Sequence, residues 1–288
     1  MIDAIARLAT ERGVVIETGA SVERILVSDG VARGVVTADG RRFDADAVVS
    51  SADLHHTETR LVPERYRTYP ESWWRSKTPS YGALLVLLGV KGELPELTHH
   101  TLLFTEDWRT NFAAIFGETT RIPDPASLYV CRPSATDPSV APEGHENLFV
   151  LVPIPADPGL GHGGVDGAGD VVIERAADAA IDQIAAWCDV PDLRDRIVVR
   201  RTIAPGDFEA DLHAWRGNAL GLAHPLLQSA LFRPRNASAK VDGLYYSGAS
   251  VLPGIGLPMC LISAELVVKR MRGDRSAGPI PEPAAEAV

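Results

Sequence analysis

Glycine and proline residues are concentrated in the stretch SGASVLPGIGLPMCLISAELVVKRM, residues 247–271. Gly254 and Gly256 permit positive φ angles and a close approach of a ligand, while Pro253 and Pro258 fix the direction of the flanking backbone. The stretch runs into an amphipathic helix, so backbone N–H groups should converge at the helix start, where proteins bind anionic or carbonyl oxygens. A tight strand-to-helix turn without a ligand fits the same pattern, and glycines alone do not decide between the two.

Histidines and cysteines give a weaker signal. The pairs His55-His56 and His99-His100 are adjacent in sequence, and neighbouring strand residues point to opposite faces, so such a pair rarely binds one metal. The three cysteines are far apart and have no Cys or His at metal-ligand spacing, and their odd number gives no disulfide framework. We therefore predict no metal site. The thiols are predicted to be small buried groups in a reducing compartment, and such a compartment indicates the cytoplasm. The cysteines are Cys131, Cys188 and Cys260.

Serines and acidic residues also lack a catalytic context. Ser50, Ser51 and Ser247 are not part of a G-x-S-x-G sequence, which gives serine hydrolysis little support. Asp207, Glu209 and Asp211 alternate with other residues in APGDFEADL and resemble a calcium loop only loosely, because no glycine follows them at the sixth loop position and no glutamate closes the loop. We interpret them as surface carboxylates and assign no catalytic residue.

Bulk composition excludes some classes of function. The chain has 288 residues, 45% hydrophobic and 23% charged, with a formal net charge of −10. It has no basic run interleaved with aromatic residues, so a nucleic-acid partner is not expected. No apolar stretch reaches the length of a transmembrane helix, and the first residues, MIDAIARLATERG, do not form a secretory signal.

Residues 1–54 read as one part of a nucleotide-binding domain. An amphipathic helix ends at Gly13 and is followed by a predicted strand at 14–19. Two strands joined by Ser28-Asp29-Gly30, and a further turn at Asp39-Gly40, predict a β-meander. A short apolar strand follows at 46–53, so helix, strand, meander and strand fill this segment.

Residues 55–215 have a different pattern of apolar and turn-forming residues. Apolar runs of strand length stand between proline and glycine breaks and predict a second, mostly β domain with a helix at 170–188. The glycine-rich segment 156–170 is expected to be a mobile surface loop. The strands either form core or line a long apolar tunnel, and the sequence leaves both open. The aromatic residues that would wall such a tunnel are Trp73, Trp74, Phe104, Trp108, Phe112 and Phe116.

The last part of the chain returns to the first domain. Residues 216–273 contain an extended connection, a strand, the glycine loop and a helix, and the Pro/Ala/Glu-rich residues 274–288 are predicted to be disordered. The overall prediction is a mixed α/β (α+β) protein. It has a partial Rossmann-like domain with an inserted meander and a mostly β substrate domain.

Several blocks, taken in order, resemble the bacterial-type phytoene desaturases and related carotenoid oxidoreductases of the FAD-dependent amine-oxidase-like superfamily. They include VERILVSDGVARGVVTADGRRFDADAVVSSAD, LTHHTLLFTEDWRTNFAAIFG and GLYYSGASVLPGIGLPMCLISAELV. The resemblance implies non-covalent FAD, an apolar polyene substrate and peripheral membrane contact. It also implies that Val22, beside Glu23, holds the adenine edge. The other implied FAD neighbours are Gly248, Ala249, Pro253, Gly254, Gly256, Leu257, Pro258 and Met259.

One part of that family's pattern is not found. The family begins with a strand, a G-x-G-x-x-G turn and a helix that receives the diphosphate. The glycine-rich GLGHGGVDGAG at 159–169 follows no apolar strand and does not qualify. The expectation is therefore the C-terminal part of such an enzyme, either a truncated product or one half of a split enzyme. Alone it is expected to be inactive, to bind FAD weakly or not at all, and either to aggregate or to associate with a complementary N-terminal polypeptide.

Two alternatives stay open at this point. The chain could be a non-enzymatic remnant or interaction module that binds an apolar ligand or a partner. It could also be an unrelated enzyme whose glycine loop binds a phosphate metabolite.

Overall fold

The computed structural model describes residues 1–281. In that range the helices alternate with three separate sheets, which confirms the predicted mixed α/β fold. The helices are α1 (Ile2–Glu11), α2 (Leu54–His56), α3 (Glu71–Trp74), α4 (Trp108–Phe116), α5 (Val171–Trp187), α6 (Pro205–Leu212) and α7 (Leu257–Met271). A π-helical turn, Thr57–Leu61, continues α2. The strands are β1 (Val22–Ser28), β2 (Val31–Thr37), β3 (Arg42–Asp44), β4 (Val48–Ser50), β5 (Gly82–Lys91), β6 (His100–Leu103), β7 (Leu128–Cys131), β8 (His145–Ile154), β9 (Ile197–Ile203) and β10 (Leu244–Tyr246).

The predicted meander is confirmed as the antiparallel sheet β1-β2-β3. Asp29 and Gly30 both have positive φ, 50° and 75°, which is the backbone of a tight hairpin turn. The strand expected at 14–19 is wrong. Among the described residues, β1 is the edge strand of its sheet and pairs only with β2. The segment 14–19 therefore has no neighbouring strand to complete its hydrogen bonds, and Val15 is 83% exposed.

A short pair of parallel strands brings together an early and a late part of the sequence. Strand β4 pairs with β10, with Val48 opposite Leu244 and Ser50 opposite Tyr246. Parallel strands end at the same edge, so the residues after Ser50 and those after Tyr246 lie side by side. This pair packs in a hydrophobic cluster of its own with Ile25, Leu54, Trp74 and other residues.

The largest sheet is antiparallel, in the order β6-β7-β8-β5-β9. Alternate residues of β5 and β8, such as Leu84 and Val150, are buried in the main core with α5. The residues between them point to the opposite face, which is apolar and only half-buried. We call this opposite side the open face; its residues are Leu85, Leu87, Tyr129, Cys131, Phe149, Leu151 and Pro153. The two hydrophobic clusters agree with two units, but the boundaries at 54/55 and 215/216 stay a prediction.

The glycine-rich segment 156–170 is packed, which corrects the expectation of a mobile loop. A Cβ at Gly163 would stand 2.1 Å from the Thr202 carbonyl oxygen. The Gly163 N–H donates to Asp207 Oδ2 at 2.8 Å, and the Gly164 N–H donates to Thr202 Oγ1 at 2.8 Å. The glycines here allow close backbone contact with β9 and α6.

The beginning of the predicted disordered tail is hydrogen-bonded to α7. Lys269 Nζ donates to the carbonyl oxygen and the hydroxyl of Ser276 at 2.9 and 3.0 Å. The Ile280 N–H donates to Glu265 Oε1 at 2.5 Å. The rest of that prediction, at 282–288, lies outside the described residues.

Among residues 1–281 no helix is long and apolar enough to cross a bilayer.

Candidate functional site

A crevice opens where β4 and β10 end. In open α/β sheets, ligands bind outside the carboxyl ends of parallel strands. Both strands are followed by small residues, Ser51-Ala52 after β4 and Ser247-Gly248-Ala249-Ser250 after β10. All of these residues except Gly248 border a cavity of about 310 Å³. Its other lining residues include Asp53, Leu54, Phe208, Asn218, Gly221 and Tyr246.

Asp53 fixes one wall of this crevice. Its Oδ1 accepts from the His56 N–H at 3.1 Å and caps α2, and its Oδ2 accepts from the Trp215 N–H at 3.3 Å. Burial raises the pKa of Asp53, and these two backbone donors act in the opposite direction. Sequence reasoning missed Asp53, although an acidic residue directly after an apolar strand is a usable signal.

The start of the glycine loop lines the same cavity, through Ser247, Ala249, Ser250 and Val251. Gly248, Gly254 and Gly256 have φ values of +121°, +135° and +116°, which side-chain-bearing residues rarely adopt. The nearest atom to a Cβ built at Gly248 or at Gly256 is 3.9 Å away. The backbone there is thus bare toward open space and forms a cradle that a side chain would fill. At Gly254 a Cβ would instead crowd Arg233 at 3.4 Å and His224 at 3.3 Å.

Arg233 holds this loop from behind. The side chain is buried, and it donates to the carbonyl oxygens of Ala249 at 2.5 Å and Val251 at 3.3 Å. It also donates to Gln228 and Leu222 carbonyls at 3.4 Å. Burial lowers the pKa of Arg233, and within residues 1–281 no carboxylate pairs with it. Its positive charge therefore remains beside the loop. Nothing in the sequence around LFRPRN indicated this role.

Asn236 and Ser263 fasten the loop to α7. Asn236 Nδ2 donates to the Leu252 carbonyl at 2.8 Å and to Ser263 Oγ at 3.0 Å. The Gly248 N–H donates to the same hydroxyl at 3.2 Å. Helix α7 then starts after Gly256 with no side-chain cap. Its first N–H groups have no partner within the helix, so they are available to an anionic or carbonyl oxygen.

The predicted cofactor residues fall into two groups. The residues from Gly248 to Met259 are brought together, with Leu257 and Pro258 exposed at the start of α7. Val22 and Glu23 lie elsewhere, at the start of β1, where Val22 is opposite Thr37 and Glu23 is exposed. No hydrogen bond or cavity of the described chain joins them to the loop, and their role stays a prediction.

A buried carboxyl group lies behind the crevice. Glu58 is fully buried and accepts a hydrogen bond from the Tyr246 hydroxyl and another from the Tyr69 N–H at 2.7 Å. Burial raises the pKa of Glu58 above its usual value of 4.5, although the two hydrogen bonds oppose the shift. Glu58 thus links the turn after α2 to the last residue of β10.

This carboxyl predicts a pH dependence of stability. Because the folded-state pKa is raised, the contribution of Glu58 is fully present below pH 4.5 and is lost as the pH rises through the folded-state pKa. Glu58→Gln should flatten the decline of the unfolding free energy between pH 5 and pH 8 in urea titrations. It should also lower stability at pH 5, since one acceptor is lost. The exposed Glu64→Gln is the matched control, and an unchanged slope in Glu58→Gln would contradict the prediction.

A second candidate region lies on the open face of the five-stranded sheet. Trp108, Phe112 and Phe116 follow one another at the i, i+4 spacing along one side of α4, and Phe104 lies just before the helix. These four residues are here called the aromatic row. Consecutive ring centroids are 5.1, 6.0 and 6.3 Å apart. Each ring is about half exposed, for example 46% at Trp108. A cavity of about 260 Å³ separates the row from Tyr129, Leu151 and Pro153.

Two of the predicted tunnel aromatics belong elsewhere. Trp74 is buried in the cluster with β4 and β10 and lies 4.9 Å from the rings of Trp73 and Trp215. Trp73 packs against Tyr69 at 4.9 Å. Of the two readings left open by the sequence, core and tunnel wall, Trp74 therefore takes the first, and neither residue lies on the apolar surface that Phe104 borders.

The three cysteines are free thiols, but each is half-buried, so the expectation of buried thiols is wrong. Asp207, predicted as a surface carboxylate, accepts from the N–H groups of Gly163 and Ala204 and from His162 Nδ1. Through these three hydrogen bonds, Asp207 fixes the start of α6.

A carboxyl-edge crevice with a glycine loop, next to an antiparallel sheet with an apolar face, is typical of oxidoreductases that bind a nucleotide cofactor. The pattern of the family described as flavin containing amine oxidoreductase matches residues 1–272. The chain belongs to this family, which confirms the predicted membership.

Two relatives within this family are similar to the chain over almost all of its length. The carotenoid 3,4-desaturase of Haloarcula japonica is 45% identical over 266 residues, which are 92% of this chain and 51% of that protein. The zeta-carotene-forming phytoene desaturase of Myxococcus xanthus is 38% identical over 269 residues, 93% of this chain and 50% of that protein. The chain thus spans about half the length of these curated relatives.

Structural comparison supports the fold. The crystal structure of an oxidoreductase from Methanosarcina mazei superposes with a TM-score of 0.51 at 19% sequence identity. The match covers 94% of this chain and 53% of that structure.

Proposed function

We propose that this chain supplies the polyene-binding surface and one wall of the FAD site of a carotenoid-type desaturase. The observation that carries the proposal is the apolar open face, flanked by the aromatic row, in a chain that also has a glycine-loop crevice. A rod-like polyene has no polar groups to recognise, so it is bound by apolar area and by shape. Both relatives described above are named for carotenoid desaturation.

The glycine loop and the start of α7 have features that would suit a flavin nucleotide. Bare backbone at Gly248 and Gly256, the free N–H groups at the start of α7 and the charge of Arg233 all favour electron-rich oxygens. We propose that Gly248, Ala249, Pro253, Gly254 and the residues from Gly256 to Met259 hold FAD. Val22 and Glu23 would contact its adenine end. FAD, when bound, supplies the hydride acceptor.

The chain's own groups would position the substrate and exclude water. Open-face residues such as Leu85 and Leu151 offer no polar group, so water has little reason to remain there once a polyene covers them. We assign no general base, since Asp53 and Asp207 both already accept hydrogen bonds from backbone N–H groups.

The aromatic row also suggests how the substrate arrives. Exposed Trp and Phe side chains are favoured at a membrane interface, and polyenes partition into the lipid phase. We propose peripheral contact with a membrane through Trp108 and Phe112.

Pigment analysis tests the function. The chain is expressed in a polyene-producing host with the remainder of a full-length carotenoid desaturase supplied as a second polypeptide. A product with more conjugated double bonds is expected, with absorption shifted to longer wavelength. Gly256→Val should abolish this, because it fills the cradle, whereas Gly278→Ala, at an open position, should not. Unchanged pigments in every arm, together with no flavin retained on gel filtration, would refute the proposal.

A further inference from the structure

Two histidines and a cysteine converge where β6 begins and β7 ends. His100 is directly opposite Cys131 in the antiparallel register. The rings of His99 and His100 lie 4.3 Å apart between centroids. One nitrogen of each ring and the Cys131 sulfur all lie within 4.8 Å of one another.

The closeness of the two rings corrects the expectation that His99 and His100 point to opposite faces. Opposite orientation of neighbouring side chains applies to residues inside a strand. Strand β6 begins at His100, and His99 precedes it in a bend, where its carbonyl accepts from the Arg132 N–H at 2.8 Å. His99 is therefore free of the strand alternation, and its ring turns to the same side as that of His100.

Both imidazoles are already oriented by hydroxyl groups. His99 Nδ1 is 2.7 Å from Thr136 Oγ1, and His100 Nδ1 is 2.8 Å from the Tyr129 hydroxyl. A proton on each Nδ1, donated to the hydroxyl oxygen, leaves the Nε2 lone pair for a metal. Metal-binding histidines usually have such a partner on the other ring nitrogen, which fixes the tautomer and the ring orientation.

We propose that His99, His100 and Cys131 form a Zn²⁺ site with an open fourth position. Two imidazoles and one thiolate are ligands for zinc or another borderline-to-soft ion, and they do not suit Mg²⁺ or Ca²⁺. With bonds of about 2.1 Å to nitrogen and about 2.3 Å to sulfur, tetrahedral ligand atoms stand roughly 3.5 Å apart. Contraction from the observed spacing takes side-chain movements of about 1 Å.

The local charges permit a cation. Arg132, next to Cys131 in sequence, is paired with Glu146 at 2.9 Å, so its charge is compensated. His99 and Cys131 are half-buried and His100 is exposed, so an ion can enter from solvent. Because Cys131 belongs to the open face, the proposed ion would lie at the edge of the polyene surface. The site depends on neither the flavin nor the polyene.

Metal binding by the full chain tests the proposal. Zn²⁺ is titrated in competition with a chromophoric chelator, and Co²⁺ is added separately to look for a thiolate-to-cobalt charge-transfer band. One equivalent of Zn²⁺ and a clear charge-transfer band are expected. Cys131→Ser and His99→Ala should each weaken Zn²⁺ binding more than about tenfold, and Tyr129→Phe about tenfold through loss of its orienting bond.

Matched controls come from the same chain. Cys188→Ser changes another half-buried thiol, and His145→Ala removes a histidine whose Nδ1 is hydrogen-bonded to the Glu143 carbonyl. Both should retain wild-type Zn²⁺ affinity. The proposal fails if the wild-type chain shows no charge-transfer band, or if folded Cys131→Ser, checked by thermal melting, binds Zn²⁺ as tightly as wild type.

Discussion

Arg233→Met is expected to lower the free energy of unfolding by about 3–5 kcal/mol and to abolish flavin retention. Methionine fills much of the space but donates no hydrogen bond, so the carbonyls of Leu222, Gln228, Ala249 and Val251 lose their donor. Each buried acceptor left unpaired costs about 1–3 kcal/mol, with the smaller values for the longer bonds. Urea unfolding of the chain measures the first effect. The flavin absorbance that survives gel filtration of the chain, co-expressed with the remainder of a full-length carotenoid desaturase, measures the second.

The neighbouring Arg235 gives a matched control. It is exposed, and its described hydrogen bond is made by the backbone N–H to the Tyr69 hydroxyl. Arg235→Met should therefore change stability by less than about 0.5 kcal/mol. If Arg233→Met were as stable as Arg235→Met and kept its flavin, Arg233 would not be what shapes the loop.

Leu151→Asp is expected to weaken polyene binding more than about hundredfold, because an unpaired carboxylate under an apolar ligand costs several kcal/mol to desolvate. Leu151 is half-buried at the centre of the open face, opposite Leu85 on one neighbouring strand and Tyr129 on the other. Quenching of tryptophan fluorescence by a polyene in detergent micelles reports binding, since Trp108 lies in the aromatic row.

Two controls separate this effect from misfolding. Leu151→Met keeps an apolar side chain of similar volume and should bind normally. Val198→Asp puts the same charge on β9, at a position that is 55% exposed where the β5–β9 register shifts, and should also bind normally. Equal polyene affinity in Leu151→Asp and Val198→Asp would place the substrate surface elsewhere.

Local chemistry explains which elements the sequence predicts well. The meander follows from Asp29-Gly30 and Gly40, where positive φ is needed, and α5 follows from its apolar spacing. The strand expected at 14–19 fails because a strand needs a partner, and pairing is not a local property. The glycines at 156–170 have the same composition whether they face solvent or the β9 backbone, so composition could not reveal their packing.

The residues of the candidate sites also fall into those that the sequence indicates and those that it does not. The glycine loop is visible in sequence because its residue types are rare and close together. Arg233 and Asp53 act through backbone groups distant in sequence, and His99 reaches Cys131 only after β6 and β7 pair. Such contacts depend on tertiary structure, and single residue types do not encode them.

The β4–β10 pair has a consequence for biosynthesis. Its partners, Val48 and Leu244, are separated by roughly two hundred residues, and contacts so distant along a chain form late because closing the intervening loop is entropically costly. On the ribosome β4 emerges long before β10 has been translated, so its apolar side chains wait unpaired and are a natural target for chaperones. A ligand that contacts the glycine loop can therefore bind only after that loop has been translated.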